Sequence, residues 1–278
     1  MDYKIIGDSC TDLTKEQRAD KSFQIVPLTL EIEDEVIVDD ESFDQSYFLK
    51  KVAESEQCPK SSCPSPETYM EMFDLAEVIF VVTLSSQLSG SYNSAVLAKK
   101  LYLEEHPNKK IEVFDSKSAS TGQALLARKI KELADNGMEF EEIVEKVTNY
   151  RDDMLTLFVL ETLETLRKNG RLSNLTAFIC NTLDIKPVMS STEEGAIKKI
   201  GQSRGIKKAL LFMANYIAET VKNPEEKILG IAHCNNYERA LFTKEAILKK
   251  VPFKDVMISD TRGVSSMYAN DGGIIVSY

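Results

Sequence analysis

Residues 82–95 read VTLSSQLSGSYNSA, five serines and one glycine with no lysine, arginine or histidine. The apolar run Val78–Val82 leads into this stretch, and Ala95–Glu105 leaves it with the pattern of a helix. A strand that feeds a hydroxyl-rich loop and then a helix is one unit of an α/β fold. Such a loop also suits an anion, because the free amides of a helix start and the small hydroxyls beside them all donate. Its lack of charge calls for an explanation.

The same unit recurs through the first half of the chain. Tyr3–Gly7 runs into Asp8-Ser9-Cys10-Thr11-Asp12, and Ile111–Phe114 runs into residues 115–121 and then the helix Gln123–Asn136. Ser61-Ser62-Cys63-Pro64-Ser65 precedes Pro66–Phe73, where Ser65 suits an N-cap and Pro66 the first helical position. This alternation predicts an N-terminal α/β/α domain with a mainly parallel, doubly wound sheet. Loops leaving parallel strands gather at the carboxyl edge, where open sheets bind ligands as the strand order reverses. The segment Gln24–Asp39 breaks the pattern and reads as a β-hairpin or an edge excursion.

The second half has another rhythm. Strands are predicted at Thr156–Leu160, Lys186–Ser190, Ala196–Gly201, Ile228–His233, Val256–Asp260 and Gly273–Tyr278. Helices are predicted at Leu163–Lys168, Leu175–Leu183, Ile206–Val221 and Tyr237–Lys250. Ile206, Leu210, Met213, Ile217 and Val221 form one apolar stripe of a helix that packs on a sheet. These elements predict a C-terminal α/β domain with a mixed six-stranded sheet. The boundary falls near residue 155, after a helix over Glu141–Asp153, dividing the chain into 1–155 and 156–278.

Length and charge narrow the partners. The 278 residues suit two domains, and a hydrophobic share of 43% supports a sizeable core. The net charge of −10 is the wrong sign for phosphate-backbone binding, so no nucleic acid is expected. Lys198-Lys199 and Lys207-Lys208 read as solvated faces. No apolar run reaches 18 residues, which excludes a transmembrane helix, and MDYKIIGDS carries no secretory pattern. A cytoplasmic protein is expected. Cys10, Cys58, Cys63, Cys180 and Cys234 are odd in number and hold no CxxC spacing, so they read as free thiols without a metal site.

Three chemistries compete for the hydroxyl-rich loops. Gly7-Asp8-Ser9 is similar to the N-terminal block of SGNH-type esterases, which would make Ser9 a nucleophile. Such enzymes place an aspartate three residues before a late histidine, whereas Leu103 precedes His106 and Gly230 precedes His233. A serine without a base is a weak nucleophile. A P-loop is absent, and a doubly charged phosphate would be poorly matched by a loop without cations. Hydroxyls and helix amides better suit a single carboxylate. Each serine could equally serve as a helix cap. In LETLRKNGRLSN (163–174), Asn169-Gly170 stops a helix, and Arg171 is aimed at a carboxylate or simply exposed.

Seven stretches together carry a resemblance. GDSCTDL, KSSCPS, TLSSQLSGSYNSA, FDSKSASTGQALLA, LETLRKNGRLS, IKPVM and SRGIKKAL follow one another as in the DegV family, from Ile5 to Tyr278. The resemblance implies a two-domain, DegV-like α/β protein that binds a long-chain fatty acid such as palmitate, its carboxylate on serine hydroxyls and its chain in an apolar tunnel. It implies no enzyme activity and no cofactor. Some members present the acid to a fatty acid kinase, which makes that kinase an implied partner, with at most transient membrane contact. By matching positions, Ser61 and Ser89 would contact the carboxylate, with Ser62, Gly90, Arg171 and Tyr268 completing the site. Cys63 stands where glutamine is usual, and Tyr268 stands near a position that is histidine in many members.

Overall fold

The computed structural model describes residues 1–172 and 184–278. Strand β1 (Tyr3–Asp8) is followed by helix α1 (Lys15–Ala19), β2 (Phe23–Val26), β3 (Thr29–Ile32) and β4 (Glu35–Val38). Then come α2 (Gln45–Glu54), β5 (Lys60–Ser62), α3 (Pro66–Phe73) and β6 (Val78–Thr83). Helix α4 (Ser91–Glu105), β7 (Lys110–Asp115), α5 (Thr121–Asp135) and α6 (Phe140–Asp152) complete the first half.

Strands β2, β1, β6 and β7 form, in that order, the expected parallel sheet. The order reverses between β1 and β6, so the loops after Asp8 and Thr83 flank the switch point. Strand β6 is buried along its whole length, as a central parallel strand must be. Ser65 caps α3 by accepting from the Thr68 amide, and Pro66 opens the helix.

Two readings of the first half need correcting. Only part of Gln24–Asp39 is a hairpin: Phe23–Val26 is the edge of the parallel sheet, and β3 and β4 lie elsewhere. Pro27 stands between them, and a residue with no N–H interrupts a ladder. The second correction concerns KSSCPS, which leaves β5, an antiparallel strand. It pairs with β3 in a separate three-stranded sheet of order β4-β3-β5.

The second half contains β8 (Thr156–Val159), α7 (Glu164–Lys168), β9 (Ile185–Ser191), β10 (Ile197–Arg204) and α8 (Ile206–Thr220). Strand β11 (Ile228–His233), α9 (Tyr237–Leu248), β12 (Asp255–Asp260), α10 (Gly263–Ala269) and β13 (Ile274–Ser277) follow. The helix expected over Leu175–Leu183 lies outside the described residues. The six strands make one mixed sheet, β10-β9-β8-β13-β11-β12, in which only β11 and β12 run parallel. Leu210, Met213 and Ile217 are fully buried on this sheet, the fate expected of the apolar stripe of α8.

Helix α5 is the layer between the two sheets. Its Ala124–Ala127 face packs with Ile5, Phe80 and Val82 of the parallel sheet and with Met257 of the mixed one. Gly230 of β11 lets that strand come against α5, since a Cβ there would stand 2.3 Å from the Thr121 hydroxyl. The small sheet packs its buried Leu28, Leu30 and Ile32 over the carboxyl edge, against Cys10, Leu84 and Val264.

Candidate functional site

The Arg171 turn is built by the chain's own ending of α7. Gly170 adopts φ +77, the left-handed conformation that glycine takes without steric cost. The Gly170 amide donates to Arg167 and the Arg171 amide to Leu166, the paired bonds of a Schellman ending. The Asn169 side chain donates to the Pro59 carbonyl at 3.0 Å and so ties this turn to β5. Arg171 is thereby half-buried. Its Nε donates to the Leu88 carbonyl at 3.1 Å, and its guanidinium lies 5.9 Å from the centre of the Tyr268 ring.

Tyr268 joins three distant segments. Its hydroxyl is 3.4 Å from Ser61 Oγ, a pair 207 residues apart. Burial pushes the Tyr268 phenol above its ordinary pKa, so at neutral pH it keeps its proton and can donate. Gly90 lies against Cys63, whose sulfur would be 2.9 Å from a Cβ on that glycine. The KSSCPS strand and the SGSYNSA loop therefore meet. Ser89 Oγ accepts from the Ser91 amide at 3.2 Å and lies 3.0 Å from Ser91 Oγ at the start of α4. Ser62 stands apart: it is exposed and neighbours Ser61 on a strand, where successive side chains point to opposite faces.

A cavity opens behind Arg171 and Tyr268. It encloses about 760 Å³ of empty space, counting the part open to solvent. Leu84, Leu160, Leu166, Val264, Ala269 and Ile275 give it an apolar wall drawn from both sheets' surroundings. Serines also line it, and three of them have their hydroxyls engaged with neighbouring groups. Ser120 donates to Asp12, Ser190 to the Thr156 carbonyl, and Ser118 pairs with the Thr156 hydroxyl at 2.6 Å. Of the six residues expected at the site, Arg171 and Tyr268 line the cavity itself. Ser61 is bonded to Tyr268, and Ser89 and Gly90 follow Leu88, which lines the cavity and accepts from Arg171.

The opening loop's other serines hold neighbouring segments in place. Ser85 donates to the Gly195 carbonyl at 2.9 Å, and Ser86 donates to Asp115. Buried carboxylates do the same for α10, which carries Val264, Tyr268 and Ala269. Asp39 accepts from the Gly263 and Val264 amides at 2.7 and 2.8 Å, and Asp12 from the Arg262 amide at 2.7 Å. Nothing periodic in GVSSMYA announces this helix, because it is buried almost all round.

Those carboxylates set a pH dependence. Burial pushes Asp12 up to about 7 and Asp8 up to about 6, from the 3.8 of an unburied carboxyl. In that window the folded chain keeps protons that the unfolded chain has lost, so stability falls as pH rises from about 4 to about 7. Asp12→Asn keeps an acceptor for Arg262 and turns its amide toward Ser120. Its melting temperature should gain on wild type as pH goes from 5 to 8. Parallel melting curves across that range would remove Asp12 from this role.

Neither histidine is placed for catalysis at Ser9. His233 Nε2 lies 3.2 Å from Asp260, and its Nδ1 accepts from the Asn236 amide. His106 stacks on Tyr102. Ser9 itself is buried and accepts from the Leu28 amide at 3.0 Å, a structural bond. Among the described residues no group of histidine, cysteine and carboxylate side chains is arranged to hold a metal ion.

Comparison with known proteins follows the same lines. A family model described as "Uncharacterised protein, DegV family" matches residues 2–278. A DegV domain-containing protein of Streptococcus pneumoniae R6 is 38% identical over 280 residues, covering 100% of this chain and 99% of its own. The crystal structure of a DegV-family protein from Ruminococcus gnavus, refined with vaccenic acid, is 50% identical with a TM-score of 0.97 and covers 99% of each chain. The Streptococcus pneumoniae Fatty Acid Kinase (Fak) B3 protein loaded with linoleic acid is 37% identical with a TM-score of 0.91, covering 100% of this chain and 99% of its own.

Proposed function

The chain belongs to the DegV family, and from that premise we propose that it is a carrier for one long-chain fatty acid and not an enzyme. The observation that carries this reading is an apolar cavity with Arg171 and Tyr268 on its wall and Ser61 bonded to Tyr268. The carboxylate would sit among Arg171, Tyr268, Ser61 and Ser89, with Gly90 allowing close approach and Ser62 at the rim. Hydrogen bonds to a charged group contribute about 1.5–3 kcal/mol each. Most of the affinity comes from the chain, at about 0.8 kcal/mol for each methylene removed from water.

The uncharged loop fits a carrier. A lysine beside the carboxylate would strengthen the pairing but add the desolvation cost of a second ion, and a carrier has to release its cargo. Related proteins with the same fold were crystallised with vaccenic and linoleic acid, and one of them bears the name of a fatty acid kinase. That supports presentation of the carboxylate to a kinase as the next step. In that case Arg171→Ala lowers phosphorylation by a cognate kinase more than it lowers lipid retention. Equal phosphorylation of mutant and wild type would take Arg171 out of the site.

No helix among the described residues is long and apolar enough to cross a membrane, which agrees with the cytoplasmic placement in this reading. The same reading divides the chain at residue 155, with the parallel sheet built before it and the mixed sheet after it. A native mass spectrum of freshly purified protein tests the core claim. It should show the chain mass plus one long-chain acid, and protein that stays empty after incubation with such acids would refute it.

A further inference from the structure

We propose that Asn169 is a positioning residue for the head group: its side-chain amide holds the strand that carries Ser61 at a set distance from Arg171. It thereby sets the preference for a free carboxylate over its ester. This rests on the reading above that Ser61 and Arg171 contact the carboxylate.

Strand β5 is three residues long and lies at the edge of the small sheet, with β3 as its one partner among the described strands. Its ladder sets Lys60, Ser61 and Ser62 opposite Glu31, Leu30 and Thr29. So short a strand, laddered on one side, has little of its own to fix its distance from the rest of the mouth. Asn169, at the end of α7, supplies a second hold. Its Nδ2 donates to the Pro59 carbonyl and to the Thr165 carbonyl, each at 3.0 Å. The two protons of the amide are thus divided between the start of β5 and the helix, with the Cys58 sulfur a weaker acceptor at 3.6 Å.

The main chain of the same residue serves Arg171. The Asn169 carbonyl accepts from Arg171 Nη1 at 2.5 Å, while Arg171 Nε donates to the Leu88 carbonyl at 3.1 Å. The contacts close into a ring. Ser61 Oγ lies 3.4 Å from the Tyr268 hydroxyl, and the Tyr268 ring lies 5.9 Å from the Arg171 guanidinium. Arg171 is bonded to Asn169, and Asn169 to Pro59, two residues before Ser61. The path through Tyr268 is the looser one, because a 3.4 Å hydroxyl pair and a ring contact tolerate sliding that shorter direct bonds do not. The bonds of Asn169 therefore set the spacing between Ser61 and Arg171. A carboxylate holds its two oxygens at a fixed separation and takes both donors only when they are spaced to match. A methyl ester carries no charge for either donor to meet.

The test replaces Asn169 by alanine, which keeps the carbonyl that Arg171 uses and removes only the side-chain donor. The backbone there, with φ −85 and ψ 5, is open to alanine, so the turn should form as before. Lipid-free wild type, Asn169→Ala, Ser61→Ala and the double mutant are titrated with a fluorescent long-chain fatty acid and with its methyl ester, each with its melting temperature recorded. Asn169→Ala should weaken acid binding about fivefold, one neutral hydrogen bond's worth, and leave ester binding unchanged. On the Ser61→Ala background the same change should cost less than about twofold, because the strand then presents no hydroxyl. Equal losses for acid and ester make the role of Asn169 merely structural and overturn the proposal. Acid binding that is unchanged in Asn169→Ala, or a full loss with Ser61 already removed, overturns it as well. Ser61→Ala binding acid as tightly as wild type overturns the head-group assignment itself, a separate result.

Discussion

Replacing Ser61 and Ser89 by alanine should each weaken fatty-acid binding by about tenfold to a hundredfold, the range of one hydrogen bond to a charged group. If both serines serve one carboxylate, as proposed, the two losses should combine to less than their sum. The methyl ester of the same acid should bind all variants alike, since it offers no charge for either hydroxyl. Stability should separate the two positions. Ser89 Oγ also accepts from the Ser91 amide at the start of α4, so its loss should cost about 1 kcal/mol, one hydrogen bond. Among the described residues Ser61 Oγ bonds only the Tyr268 hydroxyl, at 3.4 Å, and its loss should leave the melting temperature nearly unchanged. Fluorescence titration with acid and ester reads all of this. A double mutant that binds acid as tightly as wild type would place the head group elsewhere.

Gly230→Ala should drive a methyl from β11 into α5 and overpack the contact between them. Its Cβ would stand 2.3 Å from Thr121 Oγ1 and 3.2 Å from Leu125 Cδ1, both on α5. Thr121 is β-branched and fully buried, so rotating it away only turns its methyl toward the clash. Overpacking of this kind costs about 1–3 kcal/mol, which at about 2–4 °C per kcal/mol lowers the melting temperature by several degrees. Thr121→Ala removes the nearer atom and should recover part of the loss, a coupling of at least about 0.5 kcal/mol. Among the described residues the Thr121 hydroxyl has no hydrogen-bond partner, so the second change sacrifices none. If Gly230→Ala melts with wild type, β11 does not press on α5. The two halves would then be less tightly joined than the shared helix implies.

Local patterns along the chain determined a great deal of this protein. Strand β6, its loop and α4 were legible because an apolar run, a hydroxyl-rich turn and a helical spacing follow within thirty residues. Ser65-Pro66 marked the start of α3 through capping chemistry, and the stripe on α8 announced its buried face. Asn169-Gly170 told where α7 ends because only a left-handed residue closes a helix in that way. The matching motifs singled out Ser61, Ser89, Arg171 and Tyr268 before any contact among them was visible.

Tertiary structure decided how these pieces combine. Periodicity cannot reveal a helix such as α10, whose every side matters to packing and whose N-terminus is held by Asp12 and Asp39 from the other half. It cannot tell that Phe23–Val26 joins one sheet while Thr29–Ile32 joins another, since either partner satisfies the same alternation. Nor can it show that Ser118, Ser120 and Ser190, which line the cavity, have their hydroxyls engaged with Thr156 and Asp12. The contacts that bring the candidate residues together join Ser61 to Tyr268 and Leu88 to Arg171 across 207 and 83 residues. Such contacts depend on how two sheets close around α5, and burial then sets the proton affinity of Asp8 and Asp12. Residue type and spacing carry the chemistry of each group, but its neighbours exist only after the chain has folded.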